Sequence, residues 1–389
     1  MATTRQFGNH RPSIAKRGAV HSHAPLGNER FQPLPTPTGK PPYRLDLTDI
    51  LGESRVSAIQ DAGQIAFHIV GDTGGVKYPV PQQRVADAME GQLTSGPVKA
   101  RPVFFYHLGD VVYYNGEATE YYPQFYAPYE NYNVPIFAIP GNHDGDPGQT
   151  GTPSLEAYMR NFCASNPAIS SDAGDVNRDT MTQPNCYFTL EAPFVTIIGL
   201  YSNVPEGGRI EQDQADWFVN ELKAAPKGKA LLVAVHHPAY SLDDHHSGSK
   251  AICDLLDQSF KSAGRVADAV FTGHVHNFQR FTRKIGDKQV PYIVAGGGGY
   301  WNLHHMRKAD DGEALQTPVE VPDENVTLEN YVDDHHGFMT LTVDDKQIHG
   351  EFYSVPNPRD PGTSPAQRDD AFTVNWKDGT LVIDRGSWK

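Results

Sequence analysis

The sequence predicts an α/β protein, and three observations carry that expectation. From residue 64 onward, short apolar runs alternate with longer amphipathic ones. Five of the apolar runs end in Asp, Asn or His, as strands that deliver polar groups to one sheet edge would. The chain of 389 residues is long enough to bury a large core, as one big domain or two smaller ones.

In chain order, the expected strands are "QIAFHIVGD", "VFFYHLGD", "VPIFAIPGNHD", "CYFTL", "FVTIIGLYS", "KALLVAVHHP", "DAVFTGHVH" and "PYIVAGGGG". Each is a run of about the right length, rich in Val, Ile, Phe or Tyr and bounded by Gly, Pro or Asp. Helical periodicity falls between them in "QQRVADAMEGQL", "SLEAYMRNFCA", "EQDQADWFVNELKAA" and "SKAICDLLDQSF". Two hairpins follow, "FMTLTVDDKQIHGEFYSV" and "FTVNWKDGTLVID", the second with an Asp-Gly turn. No internal repeat is present.

Charge narrows the function classes. There are 33 basic and 47 acidic residues, a formal net of −14. A nucleic-acid polymer or an anionic membrane surface would need a basic field, so neither is an expected partner. No apolar run approaches the roughly 20 residues of a membrane span, and residues at the N-terminus lack the apolar core of a secretory signal, which makes the cytoplasm the default expectation. Residues 1–44 hold seven Lys or Arg and one acid, Glu29, in a Pro-, Gly- and His-rich segment read as an irregular arm. Cys163, Cys186 and Cys253 have no CxxC spacing and read as buried thiols, although Cys163 and Cys186 could pair in an oxidising compartment.

The strand ends supply Asp72 in "GDTGG", Asp110 in "GDVVY", Asn142 and His143 in "GNHD", His236 in "VAVHHPAY", and His274 and His276 in "GHVH". Carboxylate and amide oxygens mixed with imidazoles suit Zn, Fe or Mn. Seven groups exceed the needs of one ion and fit two, an arrangement that clamps an in-line phosphoryl displacement.

The ordered set GD, GDxxY, GNHD, HxP and GHxH resembles the calcineurin-type metallophosphoesterases, and within them the purple acid phosphatases, over about residues 62–355. The resemblance implies a four-layer αββα sandwich with two mixed sheets and a bimetal site at the carboxyl ends of the strands. It implies that Asp72, Asp110, Tyr113 and His276 bind a first metal, with Asp110 shared by a second that Asn142, His236 and His274 complete. Gly74 stands where most of the superfamily carries a His, and Tyr113 is the implied replacement ligand. A phenolate implies Fe(III) beside Fe(II), Zn(II) or Mn(II).

The implied reaction is hydrolysis of a small phosphate monoester by metal-bound hydroxide, with His143 next to the attacked phosphorus. In "PAYSLDDHH", His245 and His246 match a substrate-facing pair of the plant-type enzymes, where one could protonate the leaving alkoxide. The alternatives are a phosphodiesterase or nucleotide hydrolase on the same site, or a metal-stabilised binding protein without catalysis. The resemblance divides the chain into an irregular extension over 1–60, a catalytic domain over 61–356, and a tail over 357–389 whose hairpin packs on that domain. It sets no oligomeric state.

Other features read as structural. "AGGGGYW" is expected to be a tight turn beside the site, although its backbone N–H groups could meet phosphate. His68 and His107 are expected core histidines, and Trp217, Phe218 and Leu222 are expected to pack on a sheet. The acidic stretch over 310–334, flanked by His304-His305 and His335-His336, reads as a solvated loop or a lid.

Overall fold

The strands follow the apolar runs and sort into two mixed sheets. A computed structural model describes residues 31–147, 153–203, 208–309, 311–321, 325–361 and 365–383. The arm expected over residues 1–30 lies outside the described residues.

One sheet has nine strands, in the order β1 (Arg44–Asp46), β5 (Phe188–Ala192), β6 (Val195–Leu200), β7 (Ala230–Val235), β8 (Ala269–Thr272), β10 (Lys288–Ala295), β9 (Phe278–Ile285), β12 (Val326–Val332) and β11 (Val319–Val321). The other has seven: β16 (Thr380–Ile383), β15 (Gln367–Asn375), β14 (Gln347–Ser354), β13 (Gly337–Asp344), β2 (Gln64–Val70), β3 (Phe105–His107) and β4 (Ile136–Ala138). Strands β2, β3 and β4 are mutually parallel, as are β6, β7, β8 and β10. Their carboxyl ends therefore open in one direction within each sheet.

The period-2 alternation of side chains builds the layers. On β7, Leu232 and Ala234 join Phe67, Ile69, Ile197 and Met339 in the core between the sheets. Their neighbours Leu231, Val233 and Val235 point the other way, onto α6 (Gln212–Ala224) and α7 (Lys250–Ala263). A third cluster joins Val70, Phe105 and Ile136 to Val85 and Met89 of α3 (Val80–Thr94) on the outer face of the seven-stranded sheet. Helix, sheet, sheet, helix is the expected four-layer order.

The helices bury the faces their sequences mark. In α6 the buried set is Gln214, Trp217, Phe218, Glu221 and Leu222, a stripe at helical spacing. Helix α7 begins where Ser249 Oγ accepts from the Ile252 N–H, and ends at Gly264 in the left-handed conformation. All three cysteines are buried and free, and no helix among the described residues is long and apolar enough to cross a membrane.

Two expectations need correction. Irregular chain does not extend to residue 60: β1 is followed by α1 (Leu47–Leu51) and α2 (Glu53–Asp61). Strand β1 pairs in parallel with β5, and Arg44 is tied to the buried Glu221 at 2.8 Å, so this segment closes the sheet edge. The acidic stretch is likewise not simply a loop, because β11 and β12 lie within it. Val319, Val321, Val326 and Leu328 are buried and their polar neighbours alternate outward, a pattern that charge density hides.

Candidate metal centre

The site is assembled from the loops that leave β2, β3, β4, β7 and β8, three from one sheet and two from the other. Asp72, Asp110 and His274 have φ of 57°, 53° and 66°. This left-handed backbone is uncommon for residues with a side chain and gathers at functional sites. It turns each side chain back across the strand ends instead of letting the chain run on.

Two groups of donor atoms result. In the first, the Tyr113 hydroxyl lies 3.2 Å from Asp72 Oδ1 and 3.3 Å from His276 Nε2, and His276 Nε2 is 3.5 Å from Asp72 Oδ1. In the second, Asn142 Oδ1 is 3.1 Å from His236 Nε2 and 2.9 Å from His274 Nδ1, while His236 Nε2 is 3.4 Å from Asp110 Oδ2. Ligand atoms of Asp110, His236 and His274 all fall within 4.8 Å of one another. Tyr113, Asp72 and His276 thus meet in one group and Asp110, Asn142, His236 and His274 in the other.

The surroundings fit a cation. His236 is anchored through Nδ1 to the Leu108 carbonyl at 2.9 Å, and His276 through Nδ1 to the Asn302 carbonyl at 3.1 Å. Each ring thereby turns Nε2 toward carboxylate oxygen, the orientation in which an imidazole could ligate a metal. Burial alone would lower the pKa of His236, but the Asp110 and Asp72 carboxylates outweigh it and push it up to about 9. Burial, aided by Asp72 and Asp110, raises the Tyr113 phenol well above its ordinary value. A phenolate at this position therefore requires a metal cation beside it.

Gly74 matters through the space it leaves. A Cβ there would lie 2.8 Å from Tyr113 Cδ2 and would also strike Gln124 Oε1. A side chain at this position could not coexist with Tyr113 and Gln124 in their present places.

The expected substrate-facing histidines divide. His143 donates its backbone N–H to Asp110 Oδ1 at 2.9 Å and holds the Tyr114 carbonyl through Nδ1 at 2.8 Å, with its ring 4.5 Å from that of Tyr113. The His246 ring is 4.7 Å from His274, beside the second donor group. His245 is exposed and packs against His304 at 4.9 Å rather than on a donor.

Several contributing residues carry no motif. Gln124 exchanges two hydrogen bonds with the Tyr113 backbone, and Asp144 accepts from the backbone of Val111, Val112 and Gly141. Asp243 holds the His245 and His246 backbone. His304, expected only beside a loop, is buried with its ring 4.4 Å from His276 and 4.9 Å from His246. His237 lies with its ring tilted 4.4 Å from that of His274 and is fixed by Ser202 Oγ at 2.8 Å. Only the histidine identities of His237 and His304 could have flagged them. His107 is a core histidine with a positioning contact, its Nε2 2.8 Å from Thr73 Oγ1. The glycine run bends beside the site, where Gly298 N–H donates to the Gly71 carbonyl at 3.2 Å.

A two-sheet sandwich with these donors at adjoining strand ends defines a metal-dependent phosphoesterase scaffold. The chain belongs to the calcineurin-like phosphoesterase family, whose model matches residues 65–278. Among curated relatives it is 26% identical over 197 residues to purple acid phosphatase 15 of Arabidopsis thaliana, covering 49% of this chain and 34% of that protein. It is 25% identical over 267 residues to tartrate-resistant acid phosphatase type 5 of Rattus norvegicus, covering 64% of this chain and 78% of that protein. The chain thus spans about a third of the length of the plant relative. The solved purple acid phosphatase from yellow lupin seeds has the same fold, with a TM-score of 0.52 at 16% identity over 80% of this chain and 54% of that one.

Proposed function

We propose that the protein hydrolyses phosphate monoesters in the manner of a purple acid phosphatase. The reading adopts Fe(III) in the group formed by Asp72, Asp110, Tyr113 and His276. Fe(II), Zn(II) or Mn(II) would then sit in the group formed by Asp110, Asn142, His236 and His274. The observation that carries it is the Tyr113 hydroxyl 3.2 Å from Asp72 Oδ1 and 3.3 Å from His276 Nε2, in space that Gly74 leaves open. Such ions supply Lewis acidity and acidify water toward a nucleophile below neutral pH.

The chain's own residues do the rest. Asp110, which would serve both ions, also orients His143 through the backbone bond of 2.9 Å. With its Nδ1 held by the Tyr114 carbonyl, the His143 ring would face the phosphoryl oxygens, where charge develops. Water's oxygen forms the new bond to phosphorus as the ester oxygen departs. His246, beside His274, gives that oxygen its proton. His245 stands on the exposed side, against the His304 ring.

The test is a visible absorption spectrum with metal analysis on the same aerobically purified sample, followed by monoester and diester turnover. A broad tyrosinate-to-iron band, about two metals per chain and preference for monoesters is the expected result. Colourless protein with two divalent ions and faster diester turnover would overturn it.

A further inference from the structure

We infer that an aromatic shelf beside the donor cluster, formed by Tyr300 and Trp301 with Lys77 laid against it, binds the alcohol portion of the substrate. This portion is a planar aromatic group carrying a further negative charge. The inference rests on the phosphoesterase reading and names the substrate class that the reading leaves open.

Trp301 is 39% exposed, whereas Trp217 and Trp376 are 9% and 5% exposed. Its place is not accidental. The preceding residue, Tyr300, donates its N–H to the Asp72 carbonyl at 2.9 Å, and the following residue, Asn302, accepts from His276 Nδ1 at 3.1 Å. Two residues of the first donor group therefore grip the backbone on either side of Trp301. His336 Nε2, 2.9 Å from the Tyr300 carbonyl, adds a third hold. An exposed indole on so constrained a backbone costs little further order when a ring stacks on it.

The shelf is continuous with the chemistry. The Tyr300 ring is 4.3 Å from Tyr113 and 4.4 Å from His276, and the Trp301 ring is 6.1 Å from Tyr300. A phosphoryl group at the donor cluster would thus place its ester substituent within one or two ring widths of Trp301. Lys77 Nζ lies 5.0 Å from the Trp301 ring and 5.7 Å from the Tyr114 ring, two cation–π contacts that keep a positive charge at this rim. In a chain of net charge −14, that cation is suited to a second anionic group on the substrate. A nucleoside diphosphate and a carboxylated aryl ester share this chemistry.

The experiment compares benzyl phosphate with butyl phosphate, whose leaving oxygens are both alkoxides, so that only the ring differs. In the metal-loaded wild type, kcat/KM for the benzyl ester should exceed that for the butyl ester by about tenfold, mainly through KM. Trp301→Ala should bring the ratio near one, and Trp301→Phe should keep most of it. With 4-carboxybenzyl phosphate and with ADP, Lys77→Ala should remove the added preference over benzyl phosphate; loss with only one of them identifies the source of the charge. An equal ratio in the wild type, or one unmoved by Trp301→Ala, overturns the inference while leaving butyl turnover as support for a phosphoesterase. No turnover of either ester overturns the phosphoesterase reading and this inference with it.

Discussion

The side chain of Gln124 reads the backbone of Tyr113 from both sides: Tyr113 N–H donates to Gln124 Oε1 at 2.9 Å, and Gln124 Nε2 donates to the Tyr113 carbonyl at 2.7 Å. Both residues are almost fully buried. The phenol's approach to Asp72 is therefore set by an amide eleven positions along the chain. Gln124→Leu should orphan two buried backbone groups, at a cost of roughly 1–3 kcal/mol each. The tyrosinate band should weaken and metal content in the first group should fall. Gln124→Glu, which keeps the acceptor, should lose less. Spectra and denaturant melts of both variants check this, and an unchanged band in Gln124→Leu would remove the positioning role.

Asp243 sets the loop that carries His245 and brings His246 beside the second donor group. Its Oδ1 accepts the His245 N–H at 2.7 Å and the His246 N–H at 2.5 Å, while Asn277 Nδ2 donates to Oδ2 at 3.2 Å. His246→Ala should keep both metals and lower kcat for alkyl phosphates by on the order of a hundredfold, with less loss for nitrophenyl phosphate, whose leaving group needs no proton. Asp243→Ala should show the same selectivity to a smaller degree. Because the two act through one loop, the double variant should be no worse than His246→Ala. Additive losses would mean that Asp243 acts elsewhere.

A pH effect is expected far from the centre, on β14. The Glu351 carboxyl is lowered to about 2, first by the His349 ring 3.7 Å away, against the opposing effect of burial, and further by Arg368 at 2.7 Å and Tyr353 at 3.0 Å. A depressed carboxyl stabilises the fold above its unfolded value near 4.5 and loses that contribution as pH falls through about 2. Screening at these partly exposed partners limits it to about 1 kcal/mol. Urea unfolding should show wild type more stable than Glu351→Gln at pH 7, with the gap shrinking toward pH 3. A gap independent of pH would assign the difference to packing.

The ligand loops were legible in the sequence because each is local: an apolar run, a glycine, then a donor, all within ten residues. The apolar runs of β2 and β7 and the stripes of α6 and α7 were legible for the same reason. Gln124, Asp243 and His304 were not, since each acts on a partner that only tertiary folding brings near. His304 reaches His246 across 58 positions of chain. Strand β1 is three residues long and β12 is crowded with polar side chains, so neither offers a full period of apolar alternation. Strand β9 was hidden differently. "FQRFTRKI" places a charged residue at a position that proves to be buried.

That residue, Arg280, carries the last prediction. It is 1% exposed and forms two parallel bonds to Asp370 of β15, at 2.6 and 2.8 Å, with Asn330 Nδ2 donating to the same carboxylate at 3.0 Å. Strands β9 and β15 belong to different sheets, so this pair ties the C-terminal hairpin to the nine-stranded sheet. Removing one partner leaves the other charged, buried and uncompensated. Arg280→Met should therefore cost about 3–5 kcal/mol, whereas Arg280→Met with Asp370→Leu should recover much of that loss, because no lone charge is left in the interior. Equilibrium urea unfolding of the two single variants and the double one measures the coupling directly. Metal content should be unaffected in whatever fraction remains folded, since neither residue touches the donor groups. If the double variant is as unstable as the worse single one, the pair contributes packing shape rather than charge compensation.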